Sequence, residues 1–229
     1  MLDPTAIGGL LFDLDGTLLD SDDQAVEALV HRLRRLGFDE PQRAVRCLVM
    51  AMEAPANAFV TALDMLGLDA FLTGLADRLR RWHGLRTPAN FRLVDGADRA
   101  LHTLSGRYRM AVVTTRGRRD AELFLDRFGL TDLFEVVVTR ESTWRLKPHP
   151  APILHAVRAL GLSARQCVMV GDTAVDMRAA RRAGAWAVGV LCGFGERREL
   201  EQAGADLILS SPAELPSALA LPFLTTPHA

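Results

Sequence analysis

The chain has 229 residues, 49% of them hydrophobic and 24% charged, and its formal net charge is −1. This composition is typical of a globular protein with a sizeable core, and its charge balance provides no field that would attract nucleic acid or an acidic membrane surface. Three widely separated cysteines, Cys47, Cys167 and Cys192, argue against a disulfide framework and a zinc site. Since neither a basic leader nor a bilayer-length apolar run is evident, we expect a cytoplasmic protein with no membrane or nucleic-acid partner.

Six short apolar runs predict buried strands, because each is shorter than a typical helix and stops abruptly at polar residues. In chain order they are Ile7–Phe12, Met110–Val113, Phe134–Val138, Cys167–Val170, Ala185–Leu191 and Leu207–Leu209. Patterns with helical spacing lie between or after these runs, at Asp120–Phe128, Pro150–Leu160, Thr173–Ala183 and Pro212–Leu219. Strands that alternate with helices indicate an α/β fold, with a parallel sheet covered by helices on both faces.

One long segment interrupts this alternation. From Ser21 to about Asn90 no convincing strand is found, whereas apolar residues between Ala25 and Leu36 recur every three or four positions. That spacing is typical of an amphipathic helix, and two further stripes of the same kind follow. We therefore predict an inserted α-helical domain at about residues 20–91, with the α/β core formed by residues 1–19 and 92–229.

Acidic residues follow two of the predicted strands at the point where each strand ends. Asp13 and Asp15 come directly after the first strand, and Asp172 follows the fourth. Ligands of open parallel sheets bind beyond the carboxyl ends of the strands. Neighbouring carboxylates resist ionising together unless a cation lies between them, and Mg²⁺ prefers such oxygen ligands. Gly16 permits a tight turn, which leaves backbone N–H groups available for phosphate oxygens.

The remaining requirements of phosphoryl transfer also have candidates at strand ends. Asp13 is positioned to attack phosphorus and form an aspartyl-phosphate, and Asp15 to protonate the leaving oxygen and later activate water. The hydroxyl of Thr114, with Thr115 beside it, and the ammonium of Lys147 are suited to hold the transferring phosphoryl group. These assignments predict a phosphate-ester hydrolase.

Four motifs in this order resemble those of the haloacid dehalogenase (HAD) superfamily. They are Asp13-Leu14-Asp15-Gly16-Thr17, the apolar run that ends at Thr114, Lys147-Pro148, and Gly171-Asp172 with Asp176 four residues later. The resemblance implies a Rossmann-like core whose first strand is central, flanked by the second and fourth, and a helical cap of the C1 type. It also implies Mg²⁺ held by Asp13, the carbonyl of Asp15 and Asp172, with Asp176 in the outer shell or orienting Lys147.

Within the superfamily the core most resembles phosphoglycolate phosphatase-like members, although Thr115-Arg116-Gly117 stands where those enzymes often have Asn-Lys-Pro. We therefore predict a Mg²⁺-dependent phosphatase acting on a small phosphorylated metabolite, as a monomer or homodimer. Two alternatives remain open: a sugar phosphomutase of the same family, and a non-catalytic phosphate-binding protein on the same scaffold. Dehalogenase activity is disfavoured, because the family's true dehalogenases lack the second aspartate of the first motif.

Overall fold

The computed structural model describes residues 6–20 and 92–220. These residues belong to one compact unit of the chain. The predicted cap at residues 20–91 lies, but for Asp20, outside the described residues, and the domain boundary therefore stays a prediction.

A six-stranded parallel sheet forms the centre of this unit. Its strands are β1 Gly9–Phe12, β2 Arg109–Val113, β3 Val136–Val138, β4 Cys167–Gly171, β5 Trp186–Val190 and β6 Leu207–Leu209. The strand order is β3-β2-β1-β4-β5-β6. The predicted central position of the first strand, between the second and fourth, is thus confirmed, and the order reverses between β1 and β4.

Six α-helices occur among the described residues. They are α1 Ala97–Ser105, α2 Arg118–Arg127, α3 Ala151–Ala159, α4 Ala174–Ala183, α5 Arg197–Ala203 and α6 Leu215–Ala220. Four of them match predicted helices to within a few residues, except that the last predicted segment divides into a 3-10 turn at Pro212–Glu214 followed by α6. Helices α1 and α5 were not predicted from the sequence.

The core lies on both faces of the sheet, because successive residues of a strand point to opposite faces. Leu11 belongs to a buried cluster that includes Ile153 of α3 and Met177 of α4. Its strand neighbours Leu10 and Phe12 are also fully buried, and Phe12 packs edge-on against Phe134 with ring centroids 6.0 Å apart. The predicted α/β class is confirmed. Within residues 6–20 and 92–220, no helix has the length and apolar character required to span a bilayer.

Candidate active site

The polar residues singled out by the sequence meet at the carboxyl edge of the sheet. Asp13 follows β1 and Asp172 follows β4, the two adjacent strands between which the strand order reverses. Thr114 follows β2, and its N–H donates to the carbonyl of Val138 at 2.9 Å. Lys147, in the loop between β3 and α3, reaches back to the same edge, where its ammonium donates to the carbonyl of Val113 at 2.9 Å.

Four charged side chains form what we call the buried centre: Asp13, Lys147, Asp172 and Asp176. All four are nearly or fully excluded from solvent. The Lys147 ammonium lies 2.9 Å from Asp13 Oδ1 and 2.6 Å from Asp176 Oδ1. Carboxylate oxygens of the three aspartates approach within 4.8 Å of one another. One buried cation therefore faces three buried carboxylates, so the negative charge exceeds the positive charge here.

Asp176 is fully engaged by protein groups. Its Oδ1 accepts the hydrogen bond from Lys147, and its Oδ2 accepts from the backbone N–H and the hydroxyl of Thr173 at 3.2 and 2.6 Å. The same contacts cap the start of α4, since Thr173 is the N-cap residue and Asp176 the third residue of the helix. This geometry fits the orienting role expected for Asp176 better than direct metal binding.

Asp172 is enclosed by backbone on several sides. Its Oδ1 accepts from the Thr17 hydroxyl at 3.3 Å, and its Oδ2 accepts from the Phe194 N–H at 2.9 Å. Gly16, with a φ of 70°, and Gly193 both lie so close that a Cβ atom at either position would overlap the Asp172 carboxylate. Gly193, which follows β5, therefore forms part of a wall around this aspartate. The sequence alone had not indicated a role in the site for the glycines after β5.

Asp13 combines deep burial with an incomplete set of hydrogen bonds. Burial raises its pKa to about 7; Lys147 opposes this shift, whereas the charges of Asp176 and Asp15 add to it. Its Oδ1 is buried, and no described residue directs a well-oriented hydrogen bond at it, so the Lys147 contact is an ion pair. A hard divalent ion between Asp13 and Asp172 would favour the ionised form of both, and their all-oxygen donor set suits Mg²⁺.

Lys147 remains protonated in this setting. Burial acts to lower its pKa, but the charges of Asp13 and Asp176 and the hydrogen bond to Asp176 outweigh burial and raise the pKa above its usual value. A lysine held in this way presents a fixed positive charge to the carboxylates and to any anion bound beside them.

Three residues form what we call the outer rim: Asp15, Thr115 and Arg116, all partly exposed. The Arg116 guanidinium binds the Asp15 carboxylate through Nε and Nη2, with distances of 2.5–2.9 Å. Burial acts to lower the pKa of Arg116, but the hydrogen bonds and charge of Asp15 raise it overall. In the sequence, Arg116 is visible only as a departure from related enzymes. Its pairing with Asp15 has no local signal, because Asp15 lies 101 residues away.

The turn after β1 engages the backbone of Gly16. The N–H of Gly16 donates to the carbonyl of Leu19 at 2.9 Å, and the N–H of Leu19 donates to the carbonyl of Leu14 at 2.7 Å. Between described residues, no hydrogen bond uses the N–H of Leu14, Asp15 or Thr115. The binding of phosphate by Gly16 and the backbone N–H groups of this turn stays a prediction.

Comparisons with known proteins agree with this arrangement. The model of the haloacid dehalogenase-like hydrolase family matches residues 10–190. The chain is similar to the plasmid-borne phosphoglycolate phosphatase of Cupriavidus necator, with 34% identity over 92% of each chain. It is also similar to the probable phosphatase IndB of Dickeya dadantii, with 30% identity over 90% of each chain.

A solved structure from Deinococcus radiodurans R1, a HAD family hydrolase that contains bound phosphate and sodium, has a similar fold. Its TM-score is 0.67, its identity is 27%, and the match covers 94% of this chain and 96% of that one. The resemblance predicted from the four motifs is thereby confirmed. The chain belongs to the haloacid dehalogenase-like hydrolase family.

Proposed function

We propose that the chain is a Mg²⁺-dependent phosphatase that hydrolyses a small phosphate monoester, with phosphoglycolate-like compounds as the leading candidates. The observation that carries this proposal is the approach of Asp13, Asp172 and Lys147 at one edge of the sheet, beside Thr114. The proposed nucleophile, cation ligands and anion-binding groups then lie together at one edge of the sheet. The family match and the phosphatase relatives support a phosphoric monoester hydrolase.

In this proposal Asp13 attacks phosphorus with its carboxylate and forms an aspartyl-phosphate, while the ester oxygen departs. The Asp13 side chain suits this role, because it is buried and no residue in the described part of the chain directs an oriented hydrogen bond at its Oδ1. Asp15 protonates the departing oxygen and then removes a proton from the water that hydrolyses the aspartyl-phosphate. Its partly exposed position on the outer rim gives it access to the leaving group and to water.

Four groups are proposed to hold the phosphoryl oxygens. Lys147 supplies a fixed positive charge, and the hydroxyl of Thr114 is buried at the same edge. The N–H groups of Leu14 and Thr115 make no hydrogen bond within the described part of the chain, so both are available to an anion. Donors fixed by the fold before substrate arrives stabilise transition-state charge without reorganising.

Asp13, Asp172 and the carbonyl of Asp15 are proposed to hold the Mg²⁺ ion. When bound, Mg²⁺ neutralises charge on the phosphoryl group and on the paired carboxylates. Asp176 holds Lys147 in place from the other side. The surplus of negative charge in the buried centre, and the pKa of Asp13 raised to about 7 by burial, support a cation at this position.

We further propose that residues 20–91 form a helical cap that closes over bound substrate and excludes bulk water. The insertion point supports this idea, because residue 20 follows the loop that carries Asp13 and Asp15. A cytoplasmic location and a monomeric or homodimeric state stay predictions.

The proposal is tested by incubating purified protein with Mg²⁺ and a panel of phosphorylated metabolites, with free phosphate as the readout. We expect release from at least one small monoester, none after exhaustive chelation, and none from an Asp13→Asn variant. Interconversion of hexose phosphates without free phosphate would favour the mutase alternative instead. Failure on every monoester, while phosphate still binds to the folded protein, would favour a non-catalytic role.

A further inference from the structure

Arg116 stands out because it binds a carboxylate of the site although no step proposed so far uses it. Its Nε lies 2.9 and 2.7 Å from the two oxygens of Asp15, and its Nη2 lies 2.5 Å from Oδ1. The two side chains are only 21% and 31% exposed, respectively. A pair of this kind fixes both partners on the outer rim. In the proposed function, a leaving group would lie there.

The backbone of Arg116 is also held in place. Its N–H donates to the hydroxyl of Thr114 at 3.1 Å, and its carbonyl accepts from the N–H of Arg140 at 3.2 Å. The guanidinium is therefore carried by a loop that is fixed at both its amide and its carbonyl. Few surface arginines have such support.

Arg118, two residues later, shows the contrast. It is about half exposed, and its guanidinium pairs with Glu122 in the next turn of the same helix and with Ser142. Those contacts are ordinary surface contacts that contribute little to stability. Arg116 and Arg118 carry the same charge within the same short segment, but only Arg116 contacts a residue of the site.

We infer that Arg116 determines substrate specificity by binding a carboxylate, or a similar anionic group, on the leaving-group side of the phosphate ester. This inference rests on the proposed function, in which Asp15 contacts the ester oxygen. A guanidinium bonded to Asp15 must then lie next to the leaving group. Its planar fork matches the geometry of a carboxylate.

The geometry also limits the size of the leaving group. The two groups that recognise it, the Asp15 carboxylate and the Arg116 guanidinium, are in direct contact. The ester oxygen and the anionic group of the substrate must therefore be neighbours, separated by about one or two carbon atoms if each forms a hydrogen bond of normal length. The substrate class is a phosphorylated short hydroxy acid, and a bulky neutral phosphate ester would not use Arg116.

The test compares 2-phosphoglycolate with 2-hydroxyethyl phosphate, which has a hydroxymethyl group in place of the carboxylate. In an Arg116→Ala variant, we expect kcat/KM for 2-phosphoglycolate to fall about 10- to 100-fold, the loss typical of a charge-assisted hydrogen-bonded pair. 2-Hydroxyethyl phosphate should lose clearly less, because for this ester the substitution removes only the support of Asp15, so the preference for 2-phosphoglycolate should fall about 10-fold. Arg116→Lys keeps the charge but not the planar fork. For 2-phosphoglycolate only, its kcat/KM should lie between the values of wild type and Arg116→Ala.

Arg118→Ala is the matched control, because it removes the same charge two residues away, at the start of α2, from a side chain that pairs with Glu122 and Ser142. It should affect both substrates equally and slightly. An equal loss of both substrates in Arg116→Ala, or a loss of 2-phosphoglycolate activity in Arg118→Ala as large as in Arg116→Ala, would overturn the inference.

Calorimetry separates this inference from the proposed function. In chelator-treated protein with Asp13 intact, which the proposed function expects to be inactive, Arg116→Ala should weaken binding of 2-phosphoglycolate about 10- to 100-fold and leave binding of 2-hydroxyethyl phosphate nearly unchanged. This measurement needs no turnover. If the wild-type protein had no phosphatase activity, the proposed function would be wrong. The difference in binding between the two ligands would still test the role of Arg116. Equal weakening of both ligands would refute that role even in an active enzyme.

Discussion

Asp13 and Asp15 are two residues apart in the chain, yet they occupy opposite kinds of surroundings. Asp13 lies in the buried centre with a lysine and two further aspartates, and burial raises its pKa to about 7. Asp15 lies on the outer rim, where it is partly exposed and paired with Arg116. Under the proposed function, one turn after β1 therefore presents one carboxylate to the phosphorus and the metal ion, and the other to the leaving group. Four experiments test this difference between the two aspartates.

The largest effect is expected for Asp13→Asn. The substitution removes the proposed nucleophile and one ligand of the cation while keeping the size of the side chain. We expect kcat to fall by at least about 10⁴-fold, as for other enzymes that lose a nucleophile. The measurement is phosphate release under saturating substrate, with circular dichroism as the control for folding. A folded variant with wild-type kcat would remove Asp13 from the mechanism.

Asp15→Asn should reduce turnover less, by about 10²- to 10⁴-fold, because the change removes proton transfer and leaves the nucleophile intact. With p-nitrophenyl phosphate, whose leaving group needs little protonation, the variant should form the aspartyl-phosphate and then stall. Rapid mixing should therefore show a burst of p-nitrophenol in amounts stoichiometric with enzyme. Slow release without a burst would place the defect before the covalent step. That result would contradict a role for Asp15 that is confined to proton transfer on the leaving-group side.

Lys147→Ala tests the buried centre from its cationic side. The substitution leaves Asp13 and Asp176 without their common partner, and it removes a fixed charge from the proposed phosphate site. We expect kcat/KM to fall about 10²- to 10³-fold, the range found when one preorganised donor is lost. Inhibition by vanadate should weaken in parallel. If vanadate inhibited this variant as tightly as wild type, Lys147 would not contact the phosphoryl group.

The smallest effect is a change of stability with pH and Mg²⁺. The folded-state pKa of Asp13 is raised from 3.8 to about 7, so in the ion-free protein its contribution is fully present below pH 3.8 and is lost as the pH rises through 7. Under the proposed function, Mg²⁺ would bind the ionised carboxylate and restore stability there, by about 2.7 kcal/mol at a hundredfold excess over Kd.

The increase in Tm on adding Mg²⁺ should therefore be larger at pH 8 than at pH 5, where the ion must first displace a proton. Differential scanning fluorimetry at the two pH values measures it, and Asp13→Asn provides the control that should remove the difference. Equal increases at both pH values would show that Asp13 does not hold the ion.

The sequence predicted the sheet and the centre of the site well, because both depend on local patterns. Each strand is an apolar run that stops at a polar residue, and parallel strands bring those stops to one edge. Helix α4 was also correctly bounded, since Thr173 caps its start and Gly184, with a φ of 78°, ends it. Local chemistry and tertiary structure agree at these places.

The features that sequence reasoning missed lack a local signal. Helix α1 begins after Gly96, whose φ is 76° and which has no side chain to cap the first turn. Helix α5 has only seven residues and starts after Glu196, which makes no capping hydrogen bond. The pairing of Arg116 with Asp15 and the engagement of the Gly16 N–H arise from folded loops, which no spacing of residues reveals.

The backbone wall around Asp172 should affect which divalent ion the proposed site prefers. Thr17, Phe194 and two close glycines hold this carboxylate so tightly that it has little freedom to move away from its present position. Ca²⁺ is larger than Mg²⁺, needs six to eight oxygens at longer distances and is usually served by adaptable ligands. Under the proposed function, a wall of this kind should therefore discriminate by ionic radius and favour Mg²⁺ over Ca²⁺.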